Sequence, residues 1–113
     1  MHIPKSVKVA GVPVKILRED LSDDDNFGYY SHERRVIVID KSLRPSVARS
    51  TIRHEMIHAA LAFSGLSSLE NYEEEAIVRC MDEIFFPAWE SFLRRFKARG
   101  KPRNLNRTNG STL

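Results

Sequence analysis

The sequence predicts an α+β fold, with a small antiparallel β-sheet of three or four strands followed by two long helices packed across it. Three observations carry this prediction. β-branched residues interleave with lysines through the first forty positions. A helical stretch then runs from Ser46 to about Ser64, and a second runs from about Asn71 to about Ala98. A chain of 113 residues with 42% hydrophobic and 29% charged residues is a globular chain of one domain's size, able to bury a core without staples.

Val7, Val9, Val12, Val14 and Ile16 read as two short strands joined at Ala10-Gly11, with Pro13 suggesting an edge position. Leu21 to Asn26 is a loop by composition. Its three aspartates lack the Gly and distal Glu of an EF-hand loop, so they read as a solvated turn. Gly28-Tyr29-Tyr30 and Arg35 to Ile39 read as a second strand pair turning at His32-Glu33-Arg34. The second of these runs is apolar on both parities, which places it centrally in the sheet. Ser46, after Pro45, is positioned to cap the first helix, and Gly65 stands where a left-handed C-terminal cap belongs. Pro87 lies inside the second helical stretch and should kink or split it.

The formal charge is +3, and five of the basic residues (Lys97, Arg99, Lys101, Arg103, Arg107) lie after residue 96 with no acid among them. Residues 1–96 therefore hold 13 basic and 15 acidic residues and read as the folded domain; residues 97–113 read as a flexible basic tail. A lone cysteine, Cys80, excludes an intrachain disulfide framework. The opening residues hold no apolar run of signal-peptide type, and no stretch approaches the ~18 apolar residues of a membrane span. The expectation is a cytoplasmic protein with no membrane partner.

Residues 54–58 read His-Glu-Met-Ile-His. On a helix, His54 and His58 stand one turn apart on one face, the spacing at which two imidazoles bind one Zn2+. Glu55, a fraction of a turn away, is placed to act as general base on a zinc-activated water, so one rigid element supplies two ligands and a catalytic acid–base group. A chance match would occur in on the order of a few per thousand chains of this length, so the motif outweighs coincidence. The helical wheel sets both histidines with Val47, Thr51, Leu61 and Ala62, toward the core side.

A hydrolytic zinc site needs a third protein ligand. Cys80 is one option, although a single cysteine on an apolar helix face is more often packing. The better candidates are Glu73, Glu74 and Glu75 at the start of the second helix. Acids there also complement the helix dipole, but helix phase separates the three. Glu74 aligns with Ile77, Val78, Met81 and Phe85, Glu73 lies at the edge of that stripe, and Glu75 falls on the polar back. The order is thus Glu74, then Glu73, with Glu75 third.

HEMIHAALAFSG followed by EEAIVRCMDEIFFP resembles the small single-domain gluzincins, among them ImmA/IrrE-type metallopeptidases and the minimal zinc peptidase-like proteins of phage genomes. The resemblance covers about Val36 to Pro87 and implies a third-ligand Glu on the second helix. Aligning the family's proline with Pro87 puts that ligand on Glu74; aligning its alanine with Ala76 puts it on Glu73. Ile57 stands where ImmA-type members often have Gly, which favours the phage-type group and, with it, a host cytoplasm.

The resemblance implies a zinc metallopeptidase acting on a protein or peptide substrate, such as a regulator, with Glu55 catalytic. Tyr29, Tyr30 and His32, on the strand region before the helix, are candidate substrate or transition-state contacts, read against ordinary strand aromatics and a turn histidine. Two alternatives stand beside this. One is a DNA-associated SprT-like protease, with the basic tail holding phosphates, although the tail lacks interleaved aromatics. The other is a non-catalytic zinc-binding interaction module.

Overall fold

The computed structural model describes residues 2–24, 26–66 and 69–100, with side chains through residue 98. The chain divides into two compact units, Met1–Val78 and Arg79–Leu113. This division falls inside the stretch that reads as one helix in the sequence. Most of the predicted tail, residues 101–113, lies outside the described residues, and residues 97–100 continue a helix.

The first unit opens with a four-stranded sheet: β1 (Ser6–Val9), β2 (Val12–Glu19), β3 (Gly28–Ser31) and β4 (Val36–Asp40), in the order β1-β2-β4-β3. Ala10 (φ 54°) and Gly11 (φ 76°) form the left-handed two-residue turn whose twist suits a tight hairpin. Two of the three pairings are antiparallel, as expected, but β2 and β4 run parallel, so the sheet is mixed. The apolar Val36-Ile37-Val38-Ile39 run explains the difference. Fully buried on both faces, it gains most between two strands, so the chain crosses past β4, lays down β3 at the edge and returns.

β2 is therefore an inner strand, against the edge position that Pro13 suggested. Pro13 is tolerated because Val9↔Val12 closes the hairpin, which turns the Pro13 nitrogen away from β1, and β4 pairs with β2 only from Lys15 on. The β3–β4 turn spans residues 32–35; Arg35 belongs to it rather than to β4, at φ 55°.

Helix α1 (Pro45–Phe63) packs across one face, where Val9, Val14, Ile16, Ile37 and Ile39 meet Ala48 and Ala59. On the other face Leu21 buries against Val36 and Val38. Helix α1 begins at Pro45, a favoured first position, and extended Arg44 precedes it without a side-chain cap. Ser46 thus lies inside the first turn instead of capping it. The C-terminus closes as a Schellman motif: Gly65 (φ 85°) donates to Ala62 O, and the Leu66 N–H reaches Leu61 O. Helix α2 (Asn71–Arg79) completes the unit as far as Val78.

In the second unit a π-helical segment, Cys80–Phe85, leads into α3 (Phe86–Gly100). The Phe86 N–H reaches back to Met81 O, one residue further than in an α-helix. Pro87 can neither donate to the preceding turn nor fit its ring against it, and the widened turn directly precedes it.

Asp40 ties the crossing loop to the sheet. Its carboxylate accepts bonds from the Ser42 hydroxyl (2.6 Å) and the Leu21 N–H (3.0 Å). These bonds hold the Asp40 carboxyl below its ordinary 3.8, the Ser42 hydroxyl contributing most. A carboxyl with a depressed folded value stabilises the native state above its unfolded pKa and loses that stabilisation as pH falls toward the folded value. Asp40→Ala is accordingly expected to lower the urea midpoint at pH 7, with the gap from wild type closing below pH 3.8. An equal gap at both pH values would contradict this role.

Candidate metal centre

The site is built on α1 by the spacing of small residues. Ala48, Thr51, Glu55 and Ala59 are its buried positions, one row facing the sheet. The sheet meets this row at Gly28 of β3, where a Cβ would stand 2.6 Å from Val38 O and 3.0 Å from Thr51 Cγ2. Small residues on both sides thus let the helix settle closely. Glu55 is pulled into the interface (7% exposed), while His54 and His58 lie to one side of the row and are half-buried. The wheel's core-side placement therefore holds only at the margin, and the acid is more buried than either imidazole.

The two imidazoles stand with ring centroids 5.1 Å apart. Helix α2 supplies the acids. At its start the Glu73 carboxylate accepts the Glu70 N–H at 2.9 Å, the return arm of a capping box. Glu73, the second-ranked third ligand, is engaged there. Glu74 Oε2 lies 2.6 Å from His58 Nδ1, and Glu75 Oε2 lies 3.5 Å from His58 Nε2. The two acids grip opposite nitrogens of one ring.

One ligand-capable atom each from His54, His58 and Glu75 lies within 4.8 Å of the others. The donor set fits a divalent ion such as zinc. Two donors at Zn–N and Zn–O lengths around a tetrahedral ion are about 3.3 Å apart, close to the 3.5 Å between His58 Nε2 and Glu75. Glu74, first-ranked from the sequence, lies against the other nitrogen of the same ring.

The sequence pointed to the acid cluster but put Glu75 on the polar back, because it phased the helix through residues beyond Arg79. The π segment breaks that phase. Referred to Val78, the buried residue of α2, Glu74 and Glu75 flank the inward direction at about −40° and +60°, and Glu73 points away.

The three candidate contacts on β3 and its turn fare differently. Tyr29 pairs with Val38, whose side chain lies on the sheet face away from α1, so strand alternation turns Tyr29 from the histidine helix. Tyr30 pairs with Ile37 and packs on the α1 side. Its hydroxyl lies 2.7 Å from His32 Nδ1, and the His32 ring meets Phe63 of α1 edge-on at 4.9 Å. Burial raises the Tyr30 phenol above its ordinary 10.0, opposed by Arg35, so its proton is retained at neutral pH. On the opposite flank of α1, Ile3, Val7, Ile52 and Met56 line a groove of about 400 Å³.

No family model matches the chain. No curated protein matches it, and no solved structure does. The fold thus defines a class of site: two half-buried histidines of α1, packed on a small mixed sheet, and an exposed glutamate of α2 form a His/His/Glu cluster able to hold a metal ion.

A metal that binds the folded site but not the unfolded chain stabilises the fold by about 2.7 kcal/mol at a hundred times its Kd. Zinc added to metal-free protein is expected to raise the melting temperature, and a chelator to reverse the rise. His58→Ala should show neither effect. A wild-type melting temperature indifferent to zinc and chelator would argue against the site.

Proposed function

We propose that the protein is a zinc-dependent metallopeptidase of the small HExxH type, hydrolysing a peptide bond in a protein segment. The observation that carries this reading is the His54/His58/Glu75 cluster, its histidines on the helix that also buries Glu55 and its acid on α2. In the proposed arrangement His54, His58 and Glu75 hold the ion, and Glu74 holds the His58 ring by its Nδ1–H. Bound zinc supplies Lewis acidity toward a peptide carbonyl and toward water. The Glu55 carboxylate takes the proton of the attacking water and returns it to the leaving nitrogen. Its burial beneath α1 keeps that carboxylate in one orientation.

The outer edge of β3 suits an extended substrate. β3 ends the sheet, so its free backbone groups can pair with an added strand, and α1 lies directly beneath it. This favours a protein segment, such as an exposed stretch of a regulator, over a small molecule.

Glu55→Gln should lower hydrolysis of an unfolded protein substrate at least ~100-fold while zinc stays bound. Glu74→Gln should weaken zinc by about 10–100-fold, as loss of an orienting partner does, and Glu75→Gln should weaken it further. Full activity in Glu55→Gln would refute the mechanism. A larger zinc loss in Glu74→Gln than in Glu75→Gln would exchange the two roles.

A further inference from the structure

We propose that α3 is an interfacial helix that docks on an anionic lipid surface through a row of aromatic rings. Trp89, Phe92 and Phe96 are 45%, 52% and 63% exposed, and Phe85, just before the helix, is 47% exposed. The four rings form one continuous row, with centroids 6.5, 5.4 and 5.9 Å apart and planes within 23° of parallel. At about 100° per residue, Trp89, Phe92, Leu93 and Phe96 share an arc of roughly 100°. Lys97 borders that arc on one side and Arg95 lies beyond it on the other, with Arg94 behind.

Charge identifies the partner. Helix α3 carries Arg94, Arg95, Lys97 and Arg99 against one acid, Glu90, and the thirteen residues after it add Lys101, Arg103 and Arg107 with no acid. An aromatic face set against a basic one, with low net hydrophobicity, is the composition of helices that lie in the plane of a membrane surface. Among the described residues no helix is long and apolar enough to cross a membrane, so α3 would lie along the surface.

A second copy of the chain is a poorer occupant in parallel pairing, which sets two strongly basic segments side by side, and an antiparallel pair is distinguished from lipid docking by its loss on dilution. A nucleic-acid strand is poorer too. Base stacking needs open ring faces, and here the faces are turned toward one another. The sequence expectation of no membrane partner rested on the absence of a span, a criterion that a surface helix does not meet.

Trp89 is the chain's single tryptophan, so its emission reports directly on the docking face. Full-length protein mixed with phosphatidylcholine vesicles containing phosphatidylserine should float with the vesicles, and Trp89 emission should shift to the blue. With phosphatidylcholine alone, or in high salt, affinity should fall by at least about ten-fold. Phe92→Ser/Phe96→Ser should abolish the shift. Arg94→Gln/Arg95→Gln/Lys97→Gln, confined to polar positions, should weaken binding even if the aromatic variant proves unstable. Three results would overturn the proposal: no flotation with anionic vesicles; a blue shift that appears without vesicles and is lost on dilution, which would assign the face to a second copy; or an emission change with a single-stranded oligonucleotide alone.

Discussion

The close seat of α1 on the sheet governs the first unit. Ala48, Thr51 and Ala59 carry little bulk on the sheet-facing row, and Gly28 carries none where β3 meets Thr51. A larger residue at any of these points would lift the helix and open the space that encloses Glu55. The same rotation that buries Glu55 leaves His54 and His58 at the margin of the interface, half-buried and open toward α2. Packing and chemistry are thus set by one helix rotation.

The second helix contributes through its two consecutive acids. A histidine that holds a metal through one nitrogen commonly donates its other N–H to a carboxylate. Glu74 and Glu75 offer both functions from adjacent positions, one on each ring nitrogen of His58. Glu73 is withdrawn from the site by its bond to the Glu70 N–H at the start of the helix. Three adjacent glutamates therefore have three different surroundings, fixed by their phase relative to Val78.

Much of this was legible in the sequence. The HExxH spacing, the two hairpins, the central apolar strand and the Gly65 stop are local patterns, and local patterns survive into the structure. The parallel β2–β4 pairing was not legible, because it joins strands separated by a loop and a whole strand, β3, and depends on where the apolar β4 finds two neighbours. The nearness of Glu75 to the histidines was obscured because the apolar stripe was phased through Met81 and Phe85, and the π segment shifts the register of every residue after Arg79. The aromatic row of α3 carried a 3–4 spacing that reads alike whether a helix is buried or exposed, and only its solvent exposure separates the two.

The central claim is that one ion is shared by His54, His58 and Glu75, with Glu74 on the far nitrogen of His58. It is tested most directly by a crystal grown with zinc and an anomalous-difference map recorded across the zinc absorption edge. The account predicts a single peak bonded to His54, to His58 Nε2 and to Glu75, with the Glu74 carboxylate on His58 Nδ1. A zinc peak bonded to Glu74 with Glu75 turned to solvent, or no peak at the histidines, would contradict it.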